Sequence, residues 1–341
     1  VDTRVIKEDG TVHGGPVYYI TKAFSGGFGR FLAGFFAVAI ILALGFMGCM
    51  VQSNSIGSTF QTAFGVPSWI IGIILVVICG FIFLGGVKRL AAVTEKLVPT
   101  MAGLFLLGAL LVLIIRFRHI PETFGMIFRY AFQPQAIIGG GFGAAIKTAI
   151  SQGAKRGLFS NEAGMGSTPH AHAVAKVEHP AEQGLVAIFG VFATLIVVTF
   201  TGIVILVTGV LDFQSTGIAL TQKAYDVGLG SFGVSFVAIC LFFFAYSTII
   251  GWYFFAEQNV RFLFSEKALL PYRVIVCAFI IVGATLKVDL VWALADLFNG
   301  LMVIPNLIAL IALHKVVGNC LDDFEAKLAK YEKTQQNISH S

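Results

Sequence analysis

An all-α integral membrane protein is the fold class this sequence predicts, and three observations predict it. Long apolar runs such as Phe31–Val51 and Ile70–Leu84 carry no charge, and about 20 such residues are what a bilayer core of roughly 30 Å demands of a helix. The 341 residues are 57% hydrophobic and only 12% charged, with a mean hydropathy of +0.87. A typical soluble domain carries about 25% charge, so water is not this chain's main solvent. Finally, the runs are apolar on every face and lack the alternation of a membrane β-barrel strand.

About eight apolar segments are predicted: Phe31–Gln52, Ser68–Leu84, Val98–Ile115, Ile137–Val174, Gly184–Val210, Phe232–Phe255, Tyr272–Leu286 and Val288–Val316. The transmembrane domain they form covers residues 1–320. A polar tail, 321–341, follows, with Leu321, Phe324, Leu328 and Tyr331 at helical spacing. Two segments are unusual. The fourth is very long and interrupted by Gly153, Gly157, Gly164 and Gly166 among polar and charged residues; the eighth holds Pro305, Asp296 and Asn299.

Positive charge sets the expected orientation. With the amino-terminal end in the cytoplasm, 15 of the 23 Lys and Arg fall on the cytoplasmic side. Both ends of the chain are therefore expected to be cytoplasmic, in a multi-pass protein of the cell membrane. The chain opens at Val1 with a polar segment and no methionine, and the natural protein is expected to begin earlier unless processing explains it.

Several functions are disfavoured. The net charge of +5 is spread between apolar runs without a basic tract interleaved with aromatics, which argues against nucleic acid. The five cysteines show no metal-ligand spacing and read as small packing residues. His170 and His172 are two apart and do not share a helical face, so they make a poor metal pair. Gly139-Gly-Gly-Phe-Gly143 follows no predicted strand and lacks the Lys-Ser/Thr of a phosphate loop. No nucleophile–base constellation points to an enzyme.

The most informative stretch runs from Ser151 to Ser167. Glycine-rich backbone that leaves regular helix at membrane depth frees N–H and C=O groups, which is tolerated only when they are buried in protein or line a wet cavity. Broken helices of this kind mark transporters, whose half-helix ends meet charged groups of the substrate. The other reading is a long helix ending in an ordinary loop near Asn161.

Within that stretch, Arg156-Gly-Leu-Phe-Ser-Asn-Glu-Ala-Gly-Met-Gly-Ser167, followed by His179-Pro and Gln183-Gly-Leu-Val186, closely resembles the alanine/glycine:cation symporter (sodium:alanine symporter) family. Gly14-Gly-Pro-Val-Tyr-Tyr-Ile20, Val51-Gln-Ser-Asn-Ser55, Ser247-Thr-Ile-Ile-Gly-Trp252 and Ala295–Asn306 also match, in family order. The resemblance implies the inverted-repeat, LeuT-like fold of sodium-coupled amino acid transporters. It places the eight segments at core helices three to ten, with the first core helices lacking, so that transport by this chain alone is not expected. It implies secondary active symport of alanine or glycine, with sodium (or a proton) as coupling ion and no other cofactor. The ion-site residues stay unknown.

The resemblance also implies a substrate pocket of Gln52, Phe159, Ser160, Asn161, Gly164, Met165, Thr248 and Trp252. Each has a plainer alternative: Gln52 as an interfacial residue at the end of its run, Trp252 as part of an aromatic belt, Thr248 bonded back to its own helix. Asp296 and Asn299 are expected to join helices without touching ligand. Phe192-Ala-Thr194 departs from the pattern of many members, which carry an aspartate there. A channel is the alternative function, and it needs a continuous polar pore.

Overall fold

The computed structural model of the protein describes all residues except 1, 7, 9–10, 133–141, 212–214, 216 and 340–341. Its helices are α1 (Pro16–Ala23), α2 (Gly27–Phe64), α3 (Ser68–Gly86), α4 (Arg89–Ile115), α5 (Ile120–Phe132), α6 (Phe142–Asn161), α7 (Pro169–Ala173), α8 (Pro180–Thr208), α9 (Ile218–Leu229), α10 (Ser231–Phe264), α11 (Leu269–Thr285), α12 (Val288–Ala312) and α13 (His314–Ser339). An antiparallel pair, β1 (Val5–Ile6) and β2 (Val12–His13), precedes them. Among the described residues, seven helices (α2, α3, α4, α8, α10, α11 and α12) are long and apolar enough to cross a bilayer. The protein is a multi-pass, all-α membrane protein.

Seven of the eight predicted segments thus return as spans, and the fourth returns divided. Residues 137–141 of that segment, with most of the Gly139–Gly143 run, lie outside the described residues. Its remainder forms α6, with Lys147, Lys155 and Arg156, then a break, then α7.

The first segment needs correction. It was expected to end at Gln52, but helix continues to Phe64, leaving Gln52 in mid-helix. The polar run after it does not end the span because its side chains are satisfied within protein. Ser53 and Ser55 donate to the Met50 and Val51 carbonyls of their own helix at 3.1 and 2.9 Å. Asn54 donates to the Gly283 and Leu286 carbonyls at 2.9 and 2.7 Å, capping the end of α11. Between Ile41 and Gly48 the ladder of α2 widens to π-helix, in which each N–H reaches one residue further back than in an α-helix.

Helix α10 is the centre of the bundle. It packs on α2, α3, α4, α9 and α11, while α12 lies along α2 and touches α1. In the most apolar stretch of α2, 72% of residues are buried, against 11% for α8, so α2 belongs to the core and α8 to the periphery. Lipid tails are as apolar as leucine, so such helices associate by close fit more than by leaving water. At Gly283 a methyl group would come within 2.6 Å of the Met50 Cα, so α11 and α2 touch backbone to backbone there.

The tail is helical, as its spacing predicts, and starts earlier, at His314. It docks on the loop before α8: Asp323 lies 3.0 Å from His179 Nε2, and the Phe324 ring lies 5.2 Å from the His179 ring. The amino-terminal strands are tied to the region after the break by Arg4, which donates to the Ala173 and Ala175 carbonyls.

Candidate functional site

The site is built around the interruption between α6 and α7. Helical bonding ends where the Glu162 N–H meets the Leu158 carbonyl at 2.9 Å, and the Met165 N–H then turns back onto Glu162 O. Glu162, Gly164 and Gly166 all take positive φ, at 53°, 82° and 86°. For the two glycines that conformation is accessible; for Glu162 it is strained, costing on the order of 1–3 kcal/mol that the surroundings must hold down. Gly166 is required twice, because a Cβ there would also come within 2.8 Å of Phe36 and 2.9 Å of Asn306.

Both oxygens of Glu162 are engaged. One accepts the Ser167 hydroxyl, closing the turn on itself, and the other accepts the Trp252 indole N–H from α10 at 2.5 Å. Phe159, one turn before the break, meets the Trp252 ring edge to face at 5.4 Å and Trp292 of α12 at 5.0 Å. Met165 and Trp252 are buried in one apolar cluster with Phe36 and Met302, and Phe159 packs against it. The structure therefore brings Phe159, Met165 and Trp252 together from the broken segment and α10.

The other predicted residues are placed less decisively. Gly164 lies in the break, and its carbonyl accepts the Asn306 amide at 2.8 Å. Ser160 is exposed. Asn161 donates to Gly157 O of its own helix at 3.1 Å, while its Oδ1 is buried without a protein partner among the described residues. Thr248, one turn from Trp252, gives its hydroxyl to the Phe244 carbonyl at 2.9 Å, the plainer of its two expected roles. Gln52 is half-buried in α2. Asp296 does join helices, by an ion pair to Arg156 at 2.8 Å, and the Arg156 guanidinium lies 4.5 Å from the centre of the Trp292 ring. A cavity of about 350 Å³ opens elsewhere, lined by Asn54, Gln61, Ser68 and Trp69, and no residue of the break lines it.

Four contributors were not predicted as site residues: Glu162, Ser167, Asn306 and Gly48, whose missing side chain leaves room for the Trp252 ring on α2. Glu162 was visible as the one carboxylate in the broken stretch, but its partner Trp252 lies 90 positions on. His170 adds to the scaffold: its Nδ1 faces Ser167 O at 2.7 Å, and its Nε2 faces the Asn259 amide of α10 at 2.8 Å. His172 is engaged with Gln183 at 2.7 Å.

A bundle with seven helices long and apolar enough to cross a bilayer, and a further helix broken beside a cluster of aromatics, has the architecture of a membrane transporter. The profile of the sodium:alanine symporter family matches residues 3–338, and the chain belongs to that family, which comprises symporters and not enzymes. It is 41% identical over 323 residues to a sodium/alanine symporter of Methanococcus maripaludis, covering 92% of this chain and 70% of that protein. It is 41% identical over 322 residues to a probable sodium/glutamine symporter of Bacillus subtilis, covering 94% and 66%. A sodium/proton-dependent alanine carrier of Bacillus sp. strain PS3 is 36% identical over 321 residues, covering 88% and 71%.

Proposed function

We propose that this chain forms the substrate-binding region of a sodium-coupled symporter for small neutral amino acids, with Phe159, Met165 and Trp252 walling the compartment for the side chain. The observation that carries the reading is the break after Asn161, where backbone N–H groups leave the helical ladder beside an aromatic wall. An amino acid leaving water needs both charged ends satisfied. The freed N–H groups and the Ser160 hydroxyl suit its carboxylate. The unpartnered Asn161 Oδ1 suits its ammonium, with Gln52 and Thr248 as further polar groups assigned to the site. Sodium is the coupling ion in this reading, with a proton as the competitor.

With the broken segment α6 taken as an eighth crossing beside the seven apolar spans, the bundle corresponds to core helices three to ten of an inverted-repeat, LeuT-like scaffold, and both ends of the chain fall on the cytoplasmic side. Alanine and glycine fit best, since a wall of Trp252, Phe159 and buried Met165 leaves little room beyond Cβ. Glutamine, which one relative's name carries, is the natural competitor.

The test is uptake into proteoliposomes holding the full-length polypeptide that carries this chain. An inward sodium gradient is expected to drive alanine accumulation, with glycine competing better than glutamine. Trp252→Ala should admit larger neutral residues or abolish binding. Uptake indifferent to both sodium and proton gradients, or ion flux far above carrier rates, would refute the proposal.

A further inference from the structure

The Trp252 indole is held from two sides by residues that the pocket reading does not use. On its N–H edge stands Glu162, whose carboxylate is kept in place by the Ser167 hydroxyl and by a backbone fixed at positive φ. Against its six-membered ring stands Gly48, the last residue of the π-helical stretch of α2. A Cβ on Gly48 would come within 2.5 and 2.7 Å of the Trp252 Cε3 and Cζ3 atoms and 3.1 Å of the Ala43 carbonyl. The ring thus lies flush on α2 only because no side chain is there.

From this geometry we infer that Glu162 and Gly48 are positioning residues that set the substrate size limit through Trp252. The inference rests on the reading that Trp252 walls the side-chain compartment. An indole has two torsions about which to swing, and packing alone leaves its N–H edge free to turn. A hydrogen bond to a half-buried carboxylate removes that freedom, because turning away would leave both the N–H and a carboxylate oxygen without partners. The same bond ties the wall to the broken segment, six residues of which, 162–167, are closed into a turn by the Glu162–Ser167 contact. A movement of the break therefore carries the wall with it.

Glu162→Gln offers a specific control. Its amide oxygen still accepts the indole N–H, and its amide nitrogen still meets Ser167, whose hydroxyl accepts as readily as it donates. Glu162→Ala removes both contacts. Gly48→Ala leaves the carboxylate intact and displaces the ring from its other face.

The experiment measures KM and maximal rate for alanine, glycine, serine and valine in proteoliposomes holding the full-length polypeptide that carries this chain. Proteins compared are the wild type, Trp252→Phe, Glu162→Ala, Glu162→Gln and Gly48→Ala. Trp252→Phe and Glu162→Ala are expected to lower the discrimination of alanine over valine by about tenfold, the scale on which a hydrophobic pocket weighs one or two methylenes. Glu162→Gln should restore most of that ratio, a rescue that a merely structural role would not give. Gly48→Ala should change the ratio of glycine to alanine.

If Trp252→Phe relaxes selectivity while Glu162→Ala and Gly48→Ala keep the wild-type ratios, the inference is overturned and the pocket reading stands. If Trp252→Phe itself changes no ratio, the pocket reading fails, and this inference with it. Should Glu162→Ala not accumulate in the membrane, Gly48→Ala and Glu162→Gln decide: an unchanged glycine-to-alanine ratio in the first, or lost discrimination in the second, counts against the inference.

Discussion

Asn306 holds the Gly164 carbonyl from 142 residues further along the chain, donating its side-chain amide across 2.8 Å while its oxygen accepts the Tyr19 hydroxyl. One buried side chain on α12 thus connects the break to α1. Asn306→Ala should destabilise the protein by about 1–3 kcal/mol, the cost of leaving buried partners unpaired. Asn306→Asp should cost more, since a carboxylate cannot donate to the carbonyl. Equilibrium unfolding of the detergent-solubilised protein measures both, and a stability equal to wild type for Asn306→Asp would show that the contact contributes nothing.

Gly166→Ala tests the break more directly. The new methyl meets Phe36 and Asn306 inside 3 Å, and the backbone sits at φ 86°. Strain and overpacking each cost on the order of 1–3 kcal/mol, so a loss of several kcal/mol, or of membrane expression altogether, is expected. A stable, fully folded Gly166→Ala would mean that the turn adopts another conformation.

The pair of Arg156 and Asp296 should show coupling in a double-mutant cycle. Arg156 is 44% exposed at its side chain and Asp296 20%, so screening weakens the pair. A coupling of roughly 1 kcal/mol is expected for Arg156→Gln with Asp296→Asn. Additive effects within error would leave the guanidinium's contact with the Trp292 ring as its main attachment.

Orientation is testable by labelling single cysteines in sealed cells with a membrane-impermeant reagent. Positions in 116–132 should react from outside, and positions in 88–95 should not. The reverse pattern would invert the protein in the membrane without altering the helix count.

Much of the frame was legible in the sequence because the bilayer imposes it: a charge-free run of the right length has few alternatives. The break was legible for a related reason, since glycines and charges crowd where a span should be uniform. What stayed hidden depended on distant partners. Gln52 looked like the end of a helix because Gln-Ser-Asn-Ser is polar, and nothing local reveals that Asn54 is satisfied by carbonyls of α11. The π-helical stretch Ile41–Gly48 was invisible because it is apolar all round, and a segment without a polar face has no phase to read. Trp252 could be suspected, but its anchor Glu162 could not, because the two are joined only by the packing of α10 on the break.

That π-helical stretch also makes residue number itself a constraint on the protein. Each residue added to or removed from an α-helix rotates everything beyond it by about 100°. Deleting one apolar residue between Ile41 and Gly48 removes no charge, no hydrogen-bonding side chain and little volume, and by composition it looks harmless. Yet it shortens the chain where the widened ladder takes up extra length, and it turns either Phe36 off the break or Gly48 and Asn54 together off the Trp252 ring and the end of α11, since Phe36 and that pair lie on opposite sides of the deletion. Conservative substitutions in this stretch should be absorbed, whereas single-residue deletions should not. In α8, with its exposed apolar flank, a turned face would meet lipid much as the original did. Sensitivity to a shift of frame within the helix, more than sensitivity to the identity of any side chain, separates the centre of this bundle from its rim.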